Sequence, residues 1–167
     1  MRKLLMSFVI LLGVLCSCSH EIEIEKYNGT SPVIFPDYKE VVIPSNIAPL
    51  NFVVEEPLGV MRLKVEVGDK IAFLKVKRGL ISFPERLWRS LVEMSEGSEI
   101  KLTLCAKENG VWIGYEPFKI YVASEDMDEY LAYRLIPPGY TMWKEMSICQ
   151  RDLTSYKENR IYNNLQG

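Results

Sequence analysis

The residues of this chain that could carry nucleophilic or metal chemistry are four cysteines and one histidine. Cys16, Cys18 and His20 lie together near the N-terminus, whereas Cys105 and Cys149 lie far along the chain. A Ser-His or Cys-His nucleophile pair needs a histidine base, and many zinc sites use histidine ligands. Since no histidine follows His20, we expect neither kind of site in the folded body. We also find no glycine-rich phosphate loop, and we predict no cofactor.

Cys105 and Cys149 form an even pair that could become a disulfide in an oxidising compartment. Cys105 lies between Leu104 and Ala106 in an alternating segment, so its side chain is predicted to point to the less apolar face of a strand. If the C-terminal part of the chain covers that face, Cys149 could reach it. The alternative is two half-buried thiols that never meet, because a disulfide requires a short Cα–Cα distance.

Clustered carboxylates are the other groups that could do chemistry. The acidic residues at 125, 126, 128 and 129 could supply oxygen ligands to calcium, but their spacing lacks the glycine of a calcium-binding loop. An exposed, solvated turn is the favoured interpretation. Glu55 and Glu56 are adjacent, so in a strand they would point to opposite faces and could not form a glycosidase acid pair. We therefore predict no metal site and no catalytic residue.

Aromatic side chains are the candidates for contact with a ligand or a partner, and the three we single out are Trp112, Tyr140 and Trp143. Aromatic rings combine a large apolar area with a polar group, so they suit glycan stacking or a protein interface. The alternative is that most of the aromatic residues fill the core and its contact with the C-terminal part, since large aromatics are highly buried on average.

The composition is that of an ordinary globular protein. The 167 residues include 20 basic and 22 acidic side chains, and 48% of the residues are hydrophobic. This length fits one domain, with or without an extension. The charges are nearly balanced and no lysine–arginine cluster is present in the sequence, so we do not expect nucleic acid as a partner.

The N-terminal 17 residues have the pattern of a bacterial lipoprotein signal peptide. Two basic residues precede an apolar run of 12 residues, Leu4 to Leu15, which is shorter than the ~20 residues of a membrane-spanning helix. Small residues precede Cys18, so we predict a signal peptide over 1–17 and lipidation at Cys18. The alternative is an ordinary secretory signal that leaves Cys18 as a free thiol.

The next segment, 18–30, is predicted to be a tether between the lipid and the folded domain. It is rich in glutamate, and a short acidic tether resembles that of lipoproteins sent to the outer leaflet in some Gram-negative bacteria. We therefore expect an exported outer-membrane lipoprotein that faces the periplasm or the cell surface. Its lipid anchor would be its contact with the membrane.

Alternation of apolar and polar residues predicts a series of short strands in residues 31–123. The clearest are 61–67, 100–107 and 118–123, and Asn109-Gly110 predicts a two-residue hairpin turn. One amphipathic helix is predicted from Pro84 to Ser95.

About seven short strands in this segment favour a mainly β fold, an immunoglobulin-like antiparallel β-sandwich with one short helix. Residues 124–167 are dense in charges and tyrosines and contain Pro137-Pro138-Gly139. We predict that they form an irregular C-terminal extension, which packs on the sandwich or reaches towards a partner.

Two segments, 34–52 and 117–140, contain the phrases IFPDY, IPSNIAPLNF, PFKIYV and YRLIPPGY. Together they resemble the N-terminal region of exported lipoproteins from Bacteroidetes that continue into a TolB-like β-propeller. In that family a haem-attachment-like Cys-x-x-Cys-His segment follows shortly after the equivalent of 163–167. This sequence contains neither that segment nor the propeller, so no residue here supports a redox role.

Three functions are consistent with these patterns. The first is a lipid-anchored, non-enzymatic module of the cell envelope that acts in binding or as a scaffold, with a protein partner. The second is the truncated N-terminal part of a larger propeller or cytochrome-related lipoprotein, whose missing C-terminal domain would dock on the extension. The third is a carbohydrate-binding accessory lipoprotein, in which Trp112 or Trp143 stacks on a glycan.

Overall fold

A computed structural model describes residues 22–57, 59–138 and 144–165 of the chain. The predicted signal peptide (1–17) and its lipidated Cys18 lie outside the described residues. The same holds for Tyr140 and Trp143, two of the three predicted contact residues.

Thirteen strands and one helix lie within the described residues. In chain order they are β1 (Lys26–Tyr27), β2 (Ile34–Phe35), β3 (Val41–Ile43), β4 (Phe52–Val54), β5 (Val60–Val67), β6 (Lys70–Lys75), β7 (Leu80–Ile81), α1 (Glu85–Met94), β8 (Glu99–Glu108), β9 (Val111–Gly114), β10 (Phe118–Val122), β11 (Tyr130–Leu135), β12 (Ser147–Asp152) and β13 (Glu158–Asn163). They form a seven-stranded sheet A and two three-stranded sheets, B and C. The prediction of a mainly β protein with packed antiparallel sheets is confirmed.

Sheet A is built around the long strand β8. On one side β8 pairs with β5, which pairs with β6; on the other side it pairs with both β9 and β10, all antiparallel. The short strands β1 and β3 then add in parallel to β9 and β10. Asn109 (φ 50°) and Gly110 (φ 91°) connect β8 to β9, so the predicted hairpin turn with two positive φ angles is confirmed.

The core lies between the apolar face of sheet A, sheet B (order β2-β4-β7) and helix α1. Trp88, Leu91 and Val92 form the buried face of α1. The spacing of apolar residues predicted Leu91 and Trp88 correctly, but Met94, which was expected on the same face, is 51% exposed. Phe83 joins the buried face, with its ring centroid 5.0 Å from that of Trp88 and 6.5 Å from that of Phe52. These rings connect the helix to sheet B and close the sandwich.

The N-terminal edge of the folded domain begins earlier than predicted. Residues 18–30 were expected to be a tether, but the described part pairs with sheet A from Glu25 onwards. The Glu25 amide donates to the Trp112 carbonyl at 3.0 Å, β1 pairs with β9, and the Asn28 amide donates to the Gly114 carbonyl at 2.9 Å. The tether prediction is therefore wrong from Glu25, because these backbone groups are satisfied by the edge of the sheet.

The prediction of an irregular extension over 124–167 is wrong for about half of its described residues, which form the strands of sheet C. Its strands are antiparallel in the order β11-β12-β13. Sheet C contacts the sandwich through the loop that follows β3: Asn46 exchanges two hydrogen bonds with the Met127 backbone, at 2.9 and 3.1 Å. The Ala48 amide donates to the Leu153 carbonyl at 2.9 Å. The described part of the extension therefore packs on the sandwich, which is one of the two arrangements that the sequence allowed.

Candidate functional site

Side chains alternate along the strands of sheet A, and we call the side that points away from the core the outer face. Its strand positions carry six basic and two acidic residues: Arg62, Lys64, Lys75, Lys101, Lys107 and Lys119, with Glu66 and Glu99. The whole chain has a formal net charge of -2. The outer face is therefore a basic surface on a slightly acidic protein.

Three of these basic residues have carboxylate partners. Glu66 lies 2.7 Å from Lys64 and 3.7 Å from Lys101, and Glu99 lies 2.9 Å from Lys119 (N–O distances). The hydrogen bond and charge of Glu99 raise the pKa of the Lys119 ammonium. Partly exposed pairs of this kind contribute little to stability, but they neutralise the centre of the outer face.

The other three basic residues lie near the same end of three neighbouring strands, β6, β5 and β8. Arg62, Lys75 and Lys107 form no ion pair within the described residues. The register places Lys75 directly opposite Arg62, and Lys107 directly opposite Trp112. Lys107 Nζ lies 5.6 Å from the centroid of the Trp112 ring, a cation–π contact. We call these four residues the basic corner.

The predicted contact residue Trp112 is thus placed on the surface and is only partly buried. The Lys107 ammonium lies over its ring, which does not favour the flat, open platform that glycan stacking requires. The other predicted residue pair, Tyr140 and Trp143, lies outside the described residues. The sequence could have indicated the basic corner only if the register of four strands had been known.

Cys105 points to the outer face, as predicted, between Arg62 and Gly114 on the neighbouring strands. It is fully buried, and this desolvation raises the pKa of its thiol to about 11, although nearby Lys64 opposes the shift. Cys149 is also buried, in sheet C, and both are free cysteines. The disulfide between Cys105 and Cys149 that the sequence allowed is not formed in this structure. The two residues are separate buried thiols, which was the alternative prediction.

We expect both body thiols to resist alkylation in the native protein. At pH 8 the raised pKa keeps Cys105 protonated, and the thiolate is the reactive form. Intact-mass measurement after iodoacetamide treatment, before and after unfolding, should show addition at Cys105 and Cys149 only in the unfolded chain. If neither Cys105 nor Cys149 is alkylated in urea without reductant, the two residues form a disulfide and the expectation is wrong.

The raised pKa of the Cys105 thiol also predicts how the stability of the folded protein changes with pH. The ordinary Cys value is 9.0 and the folded value is about 11, so the unfolded thiol loses its proton first as the pH rises. The contribution of Cys105 to stability is present below pH 9 and is lost between pH 9 and about 11. Replacement of Cys105 by alanine should flatten this part of a stability-against-pH curve relative to the parent protein.

Gly114 allows β1 to lie close against β9. A Cβ atom there would lie 2.8 Å from Tyr27 Cε1 and 3.1 Å from Ile24 Cγ2. We expect Gly114→Ala to push β1 away and to speed amide exchange at Glu25 and Asn28 by roughly tenfold or more, since overpacking costs about 1–3 kcal/mol. Hydrogen exchange followed by mass spectrometry or NMR measures this, with the β6 amides as the internal reference. Unchanged protection at Glu25 and Asn28 would contradict the close packing of β1.

Sheet C carries a second candidate surface. Six of its large apolar side chains are each between 40% and 60% exposed: Tyr130, Leu131, Leu135, Ile148, Ile161 and Tyr162. Exposed apolar side chains are common singly, but a concentration on one small sheet is typical of an interaction surface. Successive side chains of a strand point to opposite faces, and the register places Tyr130, Ile148 and Tyr162 on one face and Leu131 and Leu135 on the other. We call the first three, together with Ile161 next to Tyr162, the apolar surface of sheet C.

Polar contacts hold sheet C in register beneath that surface. Arg151 Nη2 lies 2.6 Å from Glu158 Oε2, and the Tyr133 hydroxyl donates to the same carboxylate. The Asn163 amide donates to Glu145 and to the Ser147 hydroxyl, at 2.7 and 3.1 Å. Since these contacts join all three strands, the apolar side chains are presented by an ordered sheet.

The acidic residues predicted to form a solvated turn do not assemble a metal site. Asp126 accepts a hydrogen bond from the Ser45 hydroxyl at 2.5 Å, so it serves the attachment of sheet C. Within 22–57, 59–138 and 144–165, no group of three or more His, Cys, Asp or Glu side chains could hold a metal ion. No helix in that part of the chain is long and apolar enough to cross a membrane.

Comparison with known proteins finds no family model, no curated protein and no solved structure that matches this chain.

Proposed function

We propose that this chain is a non-enzymatic, lipid-anchored module of the bacterial outer membrane that binds a partner protein through sheet C. The observation that carries the proposal is the apolar surface of sheet C. Leaving the four large apolar side chains of this surface about half exposed in water is unfavourable, at about 25 cal/mol per Å² of apolar area. A partner that covers them would recover this free energy.

The composition and edges of sheet C favour a protein as the occupant. Protein interfaces are enriched in tyrosine and arginine, and Tyr130, Tyr162, Arg134 and Arg160 all lie on its strands. Its outer strands β11 and β13 each pair only with β12 among the described strands. Such edges offer backbone donors and acceptors that a partner strand can use.

The lipid anchor is supported by the sequence before Cys18 and by where the folded domain begins. The first backbone hydrogen bond of the described chain to sheet A is made by Glu25. Glu25 follows Cys18 by seven positions, a distance of at most about 25 Å for an extended chain. A chain lipidated at Cys18 would therefore hold the sandwich close to the membrane.

Site-specific photo-crosslinking tests the binding surface. A photoreactive residue placed at Tyr162 should form a discrete adduct with one partner in the intact cell envelope. Ile148→Asp, directly opposite Tyr162 on the same face, should reduce that adduct at least about tenfold, since burying an unpaired charge in an interface costs several kcal/mol. The matched control places the photoreactive residue at Glu93, an exposed position on α1. The same adducts at both positions, or an adduct indifferent to Ile148→Asp, would contradict the proposal.

A further inference from the structure

We propose that the basic corner of sheet A docks on the anionic headgroups of the membrane that holds the lipid anchor. The proposal rests on the lipidation of Cys18 proposed above and adds an orientation to it. The docking surface consists of Arg62, Lys75, Lys107 and Trp112. Its ligand is the phosphate-bearing surface of the bilayer.

The like charges on the outer face lower the stability of the folded sheet. Lys75 lies directly opposite Arg62, and Lys101 lies directly opposite Lys119; like charges opposite each other destabilise a sheet. Lys101 and Lys119 have glutamate partners, whereas Arg62, Lys75 and Lys107 have no ion pair among the described residues. An anionic surface would supply the missing counter-charge.

Two carboxylates lie next to this corner on the segment before β1. Glu23 and Glu25 are both exposed, and the Glu25 amide donates to the Trp112 carbonyl. Three basic groups against these two acidic groups leave a net positive charge. Glu25 also marks the side of the corner at which the chain from Cys18 arrives.

Apolar and aromatic groups border the same corner. Val60 lies directly opposite Lys107 and is 53% exposed, and Tyr27 lies opposite Gly114 and is 52% exposed. Trp112 lies between them on the outer face. Aromatic rings beside lysine are typical of the headgroup region, where an apolar ring and a polar group are both satisfied.

The position of the tether makes a membrane the favoured occupant rather than a free polyanion. Because the Glu25 amide binds the Trp112 carbonyl, the chain that leads back to Cys18 leaves the domain at the basic corner. A lipid at Cys18 lies within about 25 Å of that point. Even weak docking is then populated, because the anchor makes it an intramolecular event.

The test uses the full mature protein reconstituted in lipid vesicles. The background substitution Trp143→Phe removes one of the three tryptophans. The remaining fluorescence then comes from Trp112 on the surface and from the buried Trp88. Quenching of tryptophan fluorescence by a headgroup-labelled lipid is measured in phosphatidylcholine vesicles with and without phosphatidylglycerol. We expect strong quenching only in the anionic vesicles. Lys75→Gln together with Lys107→Gln should lower the docked-to-undocked ratio about 25-fold, since each basic residue near the surface contributes about fivefold.

The matched control removes two positive charges elsewhere: Arg86→Gln with Arg89→Gln, both exposed positions on α1. It should leave the quenching unchanged. Equal quenching in neutral and anionic vesicles, or equal effects of the two double variants, would overturn the proposal.

Flotation of the same vesicles separates the two proposals. Protein that floats but is not quenched contradicts the docking and leaves the anchor intact. Protein that does not float on either vesicle contradicts both. Trp112 fluorescence that responds to soluble dextran sulfate and not to anionic vesicles would overturn the docking in favour of a glycan surface.

Discussion

Replacement of Trp88 by alanine is expected to lower the free energy of unfolding by about 3–5 kcal/mol. Trp88 is 1% exposed, and its ring packs against Phe83. Its indole Nε1 donates to the Ile47 carbonyl at 2.9 Å, so the variant loses a hydrogen bond as well as the packing of a large ring. Urea unfolding followed by circular dichroism measures the loss.

The consequence should reach sheet C. Ile47 precedes Ala48, whose amide binds the Leu153 carbonyl, so the Trp88 side chain fixes the loop to which sheet C is attached. Amide exchange at Ala48 should therefore accelerate together with that of α1. Glu93→Ala, an exposed change on the same helix, is the control and should change stability by less than about 0.5 kcal/mol. Equal losses for the two variants would contradict the role given to Trp88.

Replacement of Cys18 by serine is expected to abolish attachment of fatty acid to the protein. The proposed lipid anchor would be joined to the Cys18 sulfur by a thioether, and a hydroxyl in its place would leave no site for it. Growth of producing cells with an alkyne-tagged palmitate, followed by a fluorophore click reaction, measures the incorporation. We expect strong labelling of the parent protein and background labelling of Cys18→Ser.

Cys16→Ser is the matched control, because it changes the neighbouring cysteine and keeps a small residue before Cys18. It should leave palmitate incorporation unchanged. Labelling that survives Cys18→Ser, or that disappears with Cys16→Ser, would place the lipid elsewhere than predicted. A parent protein without label would favour an ordinary secretory signal.

The elements that the sequence predicts well are those with a strong local signal. Strands β5 and β10 alternate cleanly because one face is buried in the core and the other is partly exposed to water. Strand β8 alternates in sequence, although its outward Thr103 and Cys105 are buried as well. Helix α1 has a single apolar stripe, and Asn109-Gly110 has the backbone freedom that its turn requires. In each case the physical cause lies within a few consecutive residues.

Sheet C and β1 escape prediction because their causes are not local. Strand β11 carries exposed apolar residues at consecutive positions, Tyr130 and Leu131, so no alternation marks it. In β13 a register shift opposite Ile148 and Cys149 breaks the two-residue period. Strand β1 has two residues and forms only because β9 offers an unpaired edge.

The basic corner illustrates the same limit for the candidate site. Lys75, Arg62, Lys107 and Trp112 come from four different strands, and no pair of them is close in sequence, apart from the two on the β8–β9 hairpin. Each residue alone is an ordinary outward side chain of a strand. Only the register between strands shows that three basic groups without ion pairs lie at the end of sheet A at which the N-terminal chain enters through β1.

The accessibility of sheet C in its native setting tests the central claim most directly. A reactive thiol is introduced as Ile161→Cys, at a position 60% exposed in the isolated chain, and as Glu93→Cys in a control chain. Both are treated with a maleimide in the intact envelope and after purification. The account predicts that the thiol at 161 is protected in the envelope and reactive when purified, whereas the thiol at 93 reacts in both. Equal reactivity at 161 in the two settings would contradict a partner bound on sheet C.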